Sequence, residues 1–381
     1  MKVAFRTFLL AVTLMPGFVV AQSGAPSDRL KTFIQHLDKA ATEAVNDPAC
    51  PSLTIGIVEK SGLVWSKSYG YADLKSHLPA KPETVYRIGS ITKQFTALML
   101  LQLVHEGKVH FTDPVEKYFP EVRLVPGRSP DAPPITLLQL AIHTSGLDRE
   151  PDDLATYTQG PVSEWEKTLI AALPHAKYIF EPGTRFYYSN IGYAILGAAL
   201  GRAAHQSYTA YVKEKILAPM GMTHSDFEAT DAIRQALAVG YMPDDHGKID
   251  STIPEKEHAG RGYKVPNGAL YTTVGDLARF EVFEMFGGPE RVLSKDELKQ
   301  NYERVIVANS GLDSGHGIGF EVHRVGAHVF LGHAGGVYGY SAYAYFELAS
   351  QVGIVILHNG MDVKAMFKLR DMFFGWSEVK D

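Results

Sequence analysis

A chain of 381 residues has room for one large domain or two fused lobes, and 45% hydrophobic with 21% charged residues is the composition of an ordinary globular protein with a sizeable core. A formal net charge of −5 with no Lys/Arg block argues against a nucleic-acid partner. No P-loop, dinucleotide fingerprint or Cys/His zinc spacing occurs, so neither a cofactor nor a metal is expected, and the single cysteine, Cys50, excludes an intrachain disulfide.

In chain order, the first residues read as an export signal. Lys2 and Arg6 form a basic start, and Phe8 to Val20 is apolar apart from Thr13, Pro16 and Gly17. Val19-Val20-Ala21 carries small residues where a signal peptidase reads, so 1–21 is expected to be removed and 22–381 secreted, to a periplasmic location. The run is too short and broken for a comfortable membrane span, and no later stretch qualifies. Cleavage would take the charge from −5 to −7. Cys50 beside Pro51 reads as a small buried hydrophobe.

Ser27 then caps an amphipathic helix presenting Leu30, Phe33, Ile34, Leu37 and Ala41. Leu53 to Lys60 and Leu63 to Tyr71 read as strands joined at Ser61-Gly62. From Ser90 to about Tyr302 the periodicity is helical, with segments at 91–106, 136–143, 163–173, 191–204, 208–217, 273–286 and 294–301 between loops rich in Pro, Gly and Asp. Strand patterns return at 317–324, 328–332, 340–348 and 352–357, and a helix from Val363 to Phe374 closes the chain. The fold class expected is α/β (α+β): an antiparallel sheet flanked by terminal helices (about 22–89 and 303–381) with an inserted all-helical lobe (about 90–302) and a cleft between them. No internal repeat or low-complexity linker is present.

Ser90-Ile91-Thr92-Lys93 opens the first helix of that insert. Positions i and i+3 share a helix face, so the Ser90 hydroxyl and Lys93 amine sit side by side, among unpaired backbone N–H groups that disfavour an ammonium. A lysine pushed toward neutrality can take a proton from serine. The spacing alone is weak, since Ser377-Glu378-Val379-Lys380 repeats it in a polar tail. His105, Glu106 and His110 miss a metalloprotease helix by one position, and Gly107 interrupts it.

Two further motifs follow in order. Tyr188-Ser189-Asn190, the only Tyr-x-Asn, precedes the apolar helix at Ile191, and His333-Ala334-Gly335-Gly336 lies between strand patterns. With Tyr86 to Lys93, Ile135 to Leu147, Pro182 to Asn190 and Pro219-Met220-Gly221-Met222, the chain resembles the serine β-lactamase and penicillin-binding-protein superfamily. The branch resembled holds class C β-lactamases, D-alanyl-D-alanine carboxypeptidases, D-aminopeptidases and β-lactamase-like esterases, and the likeness covers nearly all of 22–381.

The resemblance implies a β-lactamase/transpeptidase-like fold and a serine hydrolase acting through an acyl-enzyme. Ser90 would be the nucleophile, and Lys93 and Tyr188 would share one proton and serve as the base. Moving such a group to neutrality takes roughly 3 pK units, about 4 kcal/mol. Asn190 would hold the substrate amide, and the N–H groups of Ser90 and Gly336 would form the oxyanion hole. His333 and Gly335 would line the substrate site, with His258-Ala259-Gly260 and His358-Asn359-Gly360 as competing triplets.

Class C relatives carry lysine and a hydroxyl where this chain has His333 and Ala334. A histidine of ordinary pKa ~6.5 is mostly neutral at pH 7, so a substrate carboxylate is less well held. The reading therefore ranks esterase or peptidase/amidase activity on a small-molecule or peptide substrate above true β-lactamase activity. No Gly-x-Ser-x-Gly is present to supply an α/β-hydrolase nucleophile. The alternative is a weakly catalytic protein that senses peptidoglycan fragments or β-lactams and acylates without turnover.

Overall fold

The computed structural model describes residues 27–376, apart from residues 130, 245, 305–306, 309–312 and 362. The signal segment expected at 1–21 and the second Ser-x-x-Lys at 377–380 lie outside the described residues. The helices used below are α1 (Asp28–Ala44), α2 (Thr92–His105), α3 (Leu137–Ala141), α4 (Asn190–Ala203), α5 (Val274–Phe286), α6 (Lys295–Arg304) and α7 (Val363–Phe374).

Strands β1 (Ser52–Glu59) and β2 (Gly62–Asp73) form the hairpin expected at Ser61-Gly62, where Gly62 adopts a φ of 107° open to glycine. β3 (Leu78–Pro79) pairs outside β2. The other strands come from the far end of the chain: β4 (Val307–Ala308), β5 (Ser314–His316), β6 (Glu321–Val325), β7 (His328–Val337), β8 (Tyr340–Glu347) and β9 (Val352–His358). The described sheet runs β3-β2-β1-β9-β8-β7-β6-β5-β4, antiparallel throughout. The two ends of the sequence meet where Ile55 of β1 stands opposite Ile356 of β9.

The central strands are apolar on both faces, and their period of two sorts side chains into two cores. Leu53, Ile55, Ile57, Ile354 and Ile356 pack with Phe33 of α1 and Phe373 of α7, and Cys50 is buried in the same layer. Ala342, Ala344, Phe346, Val355 and Leu357 face the inserted helices. Each buried large apolar side chain contributes roughly 1.5–3 kcal/mol, the source of stability left to a chain with one cysteine.

Within the insert, α2 is buried on every side, with every residue from Thr92 to Leu103 enclosed. α4 is enclosed likewise from Asn190 to Gly201, and the two helices lie against each other. A polar side chain on either helix is thus forced to find its partner inside the protein. α5 crosses the sheet on β1, β2, β8 and β9. Among the described residues no helix is long and apolar enough to cross a membrane.

Three local expectations are corrected. The strand expected over 317–324 begins only at Glu321, as β6, because residues 317–320 turn at Gly319, φ 85°, where an added Cβ would stand 2.3 Å from Ala97 of α2 and 3.4 Å from the Lys93 carbonyl. The helix expected over 208–217 is α-helical only at Tyr208–Val212 and continues as a π-turn over Lys213–Leu217. Short helices at Leu154–Tyr157, Asp231–Ala236 and Thr252–Lys256 were not anticipated, being too short to carry a readable period.

Candidate active site

Ser90 sits in a 3₁₀ turn, Gly89–Ile91, that feeds directly into α2, so it precedes the α-helix rather than lying within it. The turn is pressed against β7. An added Cβ on Gly89, φ 49°, would stand 2.7 Å from the Gly336 nitrogen, and one on Gly335 would stand 1.9 Å from the Ile88 oxygen. Only paired glycines let the two backbones approach so closely. Gly336 is exposed, with open space where its Cβ would point, so the strand edge beside Ser90 faces the cleft.

One turn into α2, Lys93 is completely buried. Its Nζ lies 3.1 Å from Ser90 Oγ, 2.8 Å from Asn190 Oδ1 and 2.9 Å from the Asn267 carbonyl oxygen. The two amide oxygens only accept, so they take two N–H bonds in either protonation state. Ser90 Oγ is different: it accepts from an ammonium but donates to a free amine. Burial, and then the nearby Arg149, hold the Lys93 pKa well below the ordinary lysine range, with Glu150 acting in the opposite sense.

Tyr188 stands over this group, with Lys93 Nζ 4.8 Å and Arg149 Cζ 4.9 Å from its ring centroid. His143 stacks on the Tyr188 ring at 4.3 Å. Enclosure raises the Tyr188 pKa, with the Ser90 side chain acting to lower it. With the lysine pushed down and the tyrosine up, the pair favours amine and phenol over ammonium and phenolate, so a proton shared between the two rests on the phenol. Ser189 is the N-cap of α4, its Oγ accepting from the Gly192 N–H at 3.0 Å. Asn190, in the first turn, is thereby aimed back at Lys93 and not spent on the cap.

Behind Asn190 lies a layer of polar partners, with Tyr263 and Asn267 buried and Glu150 and Lys264 partly so. Glu150 Oε1 accepts from Asn190 Nδ2 at 2.7 Å and from Lys264 Nζ at 2.8 Å, while Tyr263 donates to the other oxygen. Asn267 Nδ2 donates to the Asn190 carbonyl at 2.9 Å. Sequence reasoning missed Glu150, Tyr263, Lys264 and Asn267. Glu150 lies only three residues past the Ile135 to Leu147 stretch, while the others sit in a Pro/Gly-rich segment whose short helices, Gly262–Lys264 and Val265–Gly268, are too brief for a readable period.

His333 is buried on β7, its ring centroid 6.2 Å from that of Tyr188. Its Nδ1 is 2.5 Å from the Ala334 carbonyl and so carries the proton, leaving Nε2 as an acceptor. Burial lowers its pKa below the ordinary value, with Glu321, 3.7 Å from Nδ1, opposing. The competing histidines lie elsewhere: His258 pairs with the Tyr271 hydroxyl at 2.9 Å, and His358 ends β9 opposite Leu53. Ala334 does not share the site. Its side chain packs with the α1/α7 core on the opposite face of the sheet, as strand alternation demands, so comparing it with the hydroxyl of lysine-bearing relatives does not bear on the cleft. Among the described residues no three His, Cys, Asp or Glu side chains converge to hold a metal ion.

A profile of the Beta-lactamase family matches residues 37–372. "Beta-lactamase-like protein 2" of Dictyostelium discoideum is 33% identical over 304 residues, 77% of this chain and 53% of that protein. "Putative beta-lactamase-like 1" of Homo sapiens is 26% identical over 343 residues, 88% of this chain and 66% of its own length. The chain thus spans about half to two thirds of the curated relatives it matches. Among solved structures, an octameric penicillin-binding protein homologue from Pyrococcus abyssi superposes with a TM-score of 0.73 at 28% identity, covering 86% of this chain and 74% of that one. A class C β-lactamase superposes with a TM-score of 0.75 at 20% identity, covering 94% and 99%, a likeness of fold.

Proposed function

Because this chain belongs to the β-lactamase family, we propose that it is a serine hydrolase that forms an acyl-enzyme on Ser90 and acts on an ester or amide without a fixed negative charge at the His333 end. The observation that carries the reading is the buried Lys93 amine, with two acceptors fixing two of its hydrogens and the third direction on Ser90 Oγ. The free amine takes the Ser90 proton as Oγ bonds to the substrate carbonyl carbon. The Ser90 and Gly336 N–H groups receive the resulting oxyanion. On collapse, the C–O or C–N bond breaks and the leaving group takes a proton delivered through Tyr188, which is replenished from the Lys93 ammonium. Water then repeats the sequence on the acyl-enzyme and releases the acid. Each oxyanion donor contributes roughly a hundred- to a thousandfold and the base a comparable factor.

The neutral His333 is what favours an esterase or peptidase/amidase over a β-lactamase. Export through residues 1–21 to the periplasm belongs to the same proposal and predicts a mature chain beginning at Gln22. The test is steady-state and burst kinetics on p-nitrophenyl esters, nitrocefin and a D-Ala-D-Ala peptide. Turnover of neutral esters with nitrocefin far slower supports the reading. One equivalent of product followed by arrest would identify instead a sensor that acylates and stops.

A further inference from the structure

Beyond Gly336 the cleft continues into a cavity of about 680 Å³. One wall is apolar, with Leu154, Val337, Met361 and the exposed Ile253 and Tyr338. The other carries Lys256, Arg261 and Lys264 against the single acid Glu257. That lining has a formal charge of +2 in a chain whose net charge is −5. Arg87 and Glu150, which bond to wall residues from behind, cancel each other.

Arg261 is the group whose bonding is incomplete. It is 8% exposed, and its Nη1 donates to Glu257 Oε2 at 2.5 Å. The same oxygen also accepts from Arg87 Nη1 at 2.8 Å, so two buried guanidiniums lean on one carboxylate. Among the described residues, Arg261 Nε has no partner and Nη2 donates to none. Burial, then the charge of Arg87, press Arg261 below the ordinary guanidinium range, as befits a cation short of counter-charge. Nη2 lies 3.7 Å from the point where a Cβ on Gly268 would stand, and the Gly89 carbonyl carbon lies 3.9 Å from that point. Arg261 is therefore no more than about 8 Å from the carbon bonded to the Ser90 nitrogen.

Resting on the hydrolase reading above, we propose that this cavity is the acyl-side subsite and that it takes an acyl group with a short apolar stem ending in a carboxylate, received by Arg261 with Lys256 at the rim. The side follows from the chemistry. A leaving group must face Tyr188 and Lys93 to collect its proton, so the acyl substituent runs the other way, along the Gly336 to Tyr338 edge where the cavity opens. The preferred substrate then has an acidic acyl half and a neutral leaving half.

The test uses two esters that differ only in charge, mono-4-nitrophenyl adipate and its methyl ester, whose four-methylene stem suits the reach from Ser90 to Arg261. The wild-type protein should favour the acid by about tenfold or more in kcat/KM, the size of one charge-assisted contact. Arg261→Gln should bring that ratio to one or below, and Lys256→Gln, at an exposed position, should reduce it part of the way. Should Arg261→Gln fail to fold, the wild-type ratio and the Lys256→Gln shift still decide. Hydrolysis of both esters with the methyl ester equal or preferred overturns the subsite and leaves the hydrolase reading standing. Hydrolysis of neither, with no acylation of Ser90, overturns both.

Discussion

Replacing Glu150 with glutamine removes a charge from beside the lysine base while keeping one acceptor oxygen for Asn190 Nδ2, the second oxygen, which accepts from Tyr263, becoming an amide that can only donate. One amide separates Lys93 Nζ from the Glu150 carboxylate, through contacts of 2.8 and 2.7 Å, which puts the charges roughly 6–7 Å apart. At an effective dielectric of about 20 that is roughly 2.5 kcal/mol, an upper figure near two pK units, which water at the cleft mouth reduces to about one. Glu150 raises the Lys93 pKa, so its loss lowers it further, and Lys264, left without its partner, pushes the same way. If the neutral amine is the base, activity rises with pH through the Lys93 pKa. Glu150→Gln should therefore move the acidic limb of kcat/KM for a neutral p-nitrophenyl ester down by about one pH unit, measured between about pH 4 and 9. A limb that stays in place, or moves up, would refute Lys93 as the group whose deprotonation gates acylation.

The other predictions concern the partners of that base. Lys93→Ala and Tyr188→Phe should each slow acylation by roughly a hundred- to ten-thousandfold, and the double variant should be little worse than the poorer single, whereas multiplying losses would mean that they act independently. His333→Lys should raise nitrocefin acylation relative to a neutral ester by about ten- to a hundredfold, and adding Ala334→Thr should contribute nothing, because that side chain points into the opposite core. Glu284, buried on α5 and accepting from Tyr302, has its pKa pushed up to about 7 by burial. A raised carboxyl stabilises the fold below the unfolded value of 4.5 and loses that contribution as pH rises to about 7. Urea titrations should show Glu284→Gln reducing the fall in stability across that window by an amount of the order of 3 kcal/mol, the remainder belonging to the neighbouring buried Glu281, and an unchanged pH slope would contradict the assignment.

What the sequence made legible, and what it hid, follows the range of each signal. Strand alternation and helix period act between near neighbours, so the hairpin at Gly62 and helix Val363–Phe374 are readable at once. Ser90, Lys93, Tyr188, Asn190, His333 and Gly336 were legible as three motifs in order, and the structure brings them into one cleft. Asn267 and Glu150 were not, because their contacts with Asn190 span 77 and 40 residues and leave no trace in local composition. Arg261 belongs to no local pattern in the sequence. Its significance comes from Arg87, 170 residues from Glu257, which shares that acid with it. The opposite facing of His333 and Ala334 could have been read from strand periodicity, which sends adjacent side chains to opposite faces.

The central claim is that Ser90 is the nucleophile that Lys93 activates. Intact-mass and peptide-mapping analysis after treatment with a serine-reactive phosphonate tests it most directly. One adduct per chain, mapped to Ser90, absent in a folded Ser90→Ala variant and formed far more slowly in Lys93→Ala, is the result predicted. An adduct that persists in Ser90→Ala, or maps to Ser189 or Ser341, would contradict it.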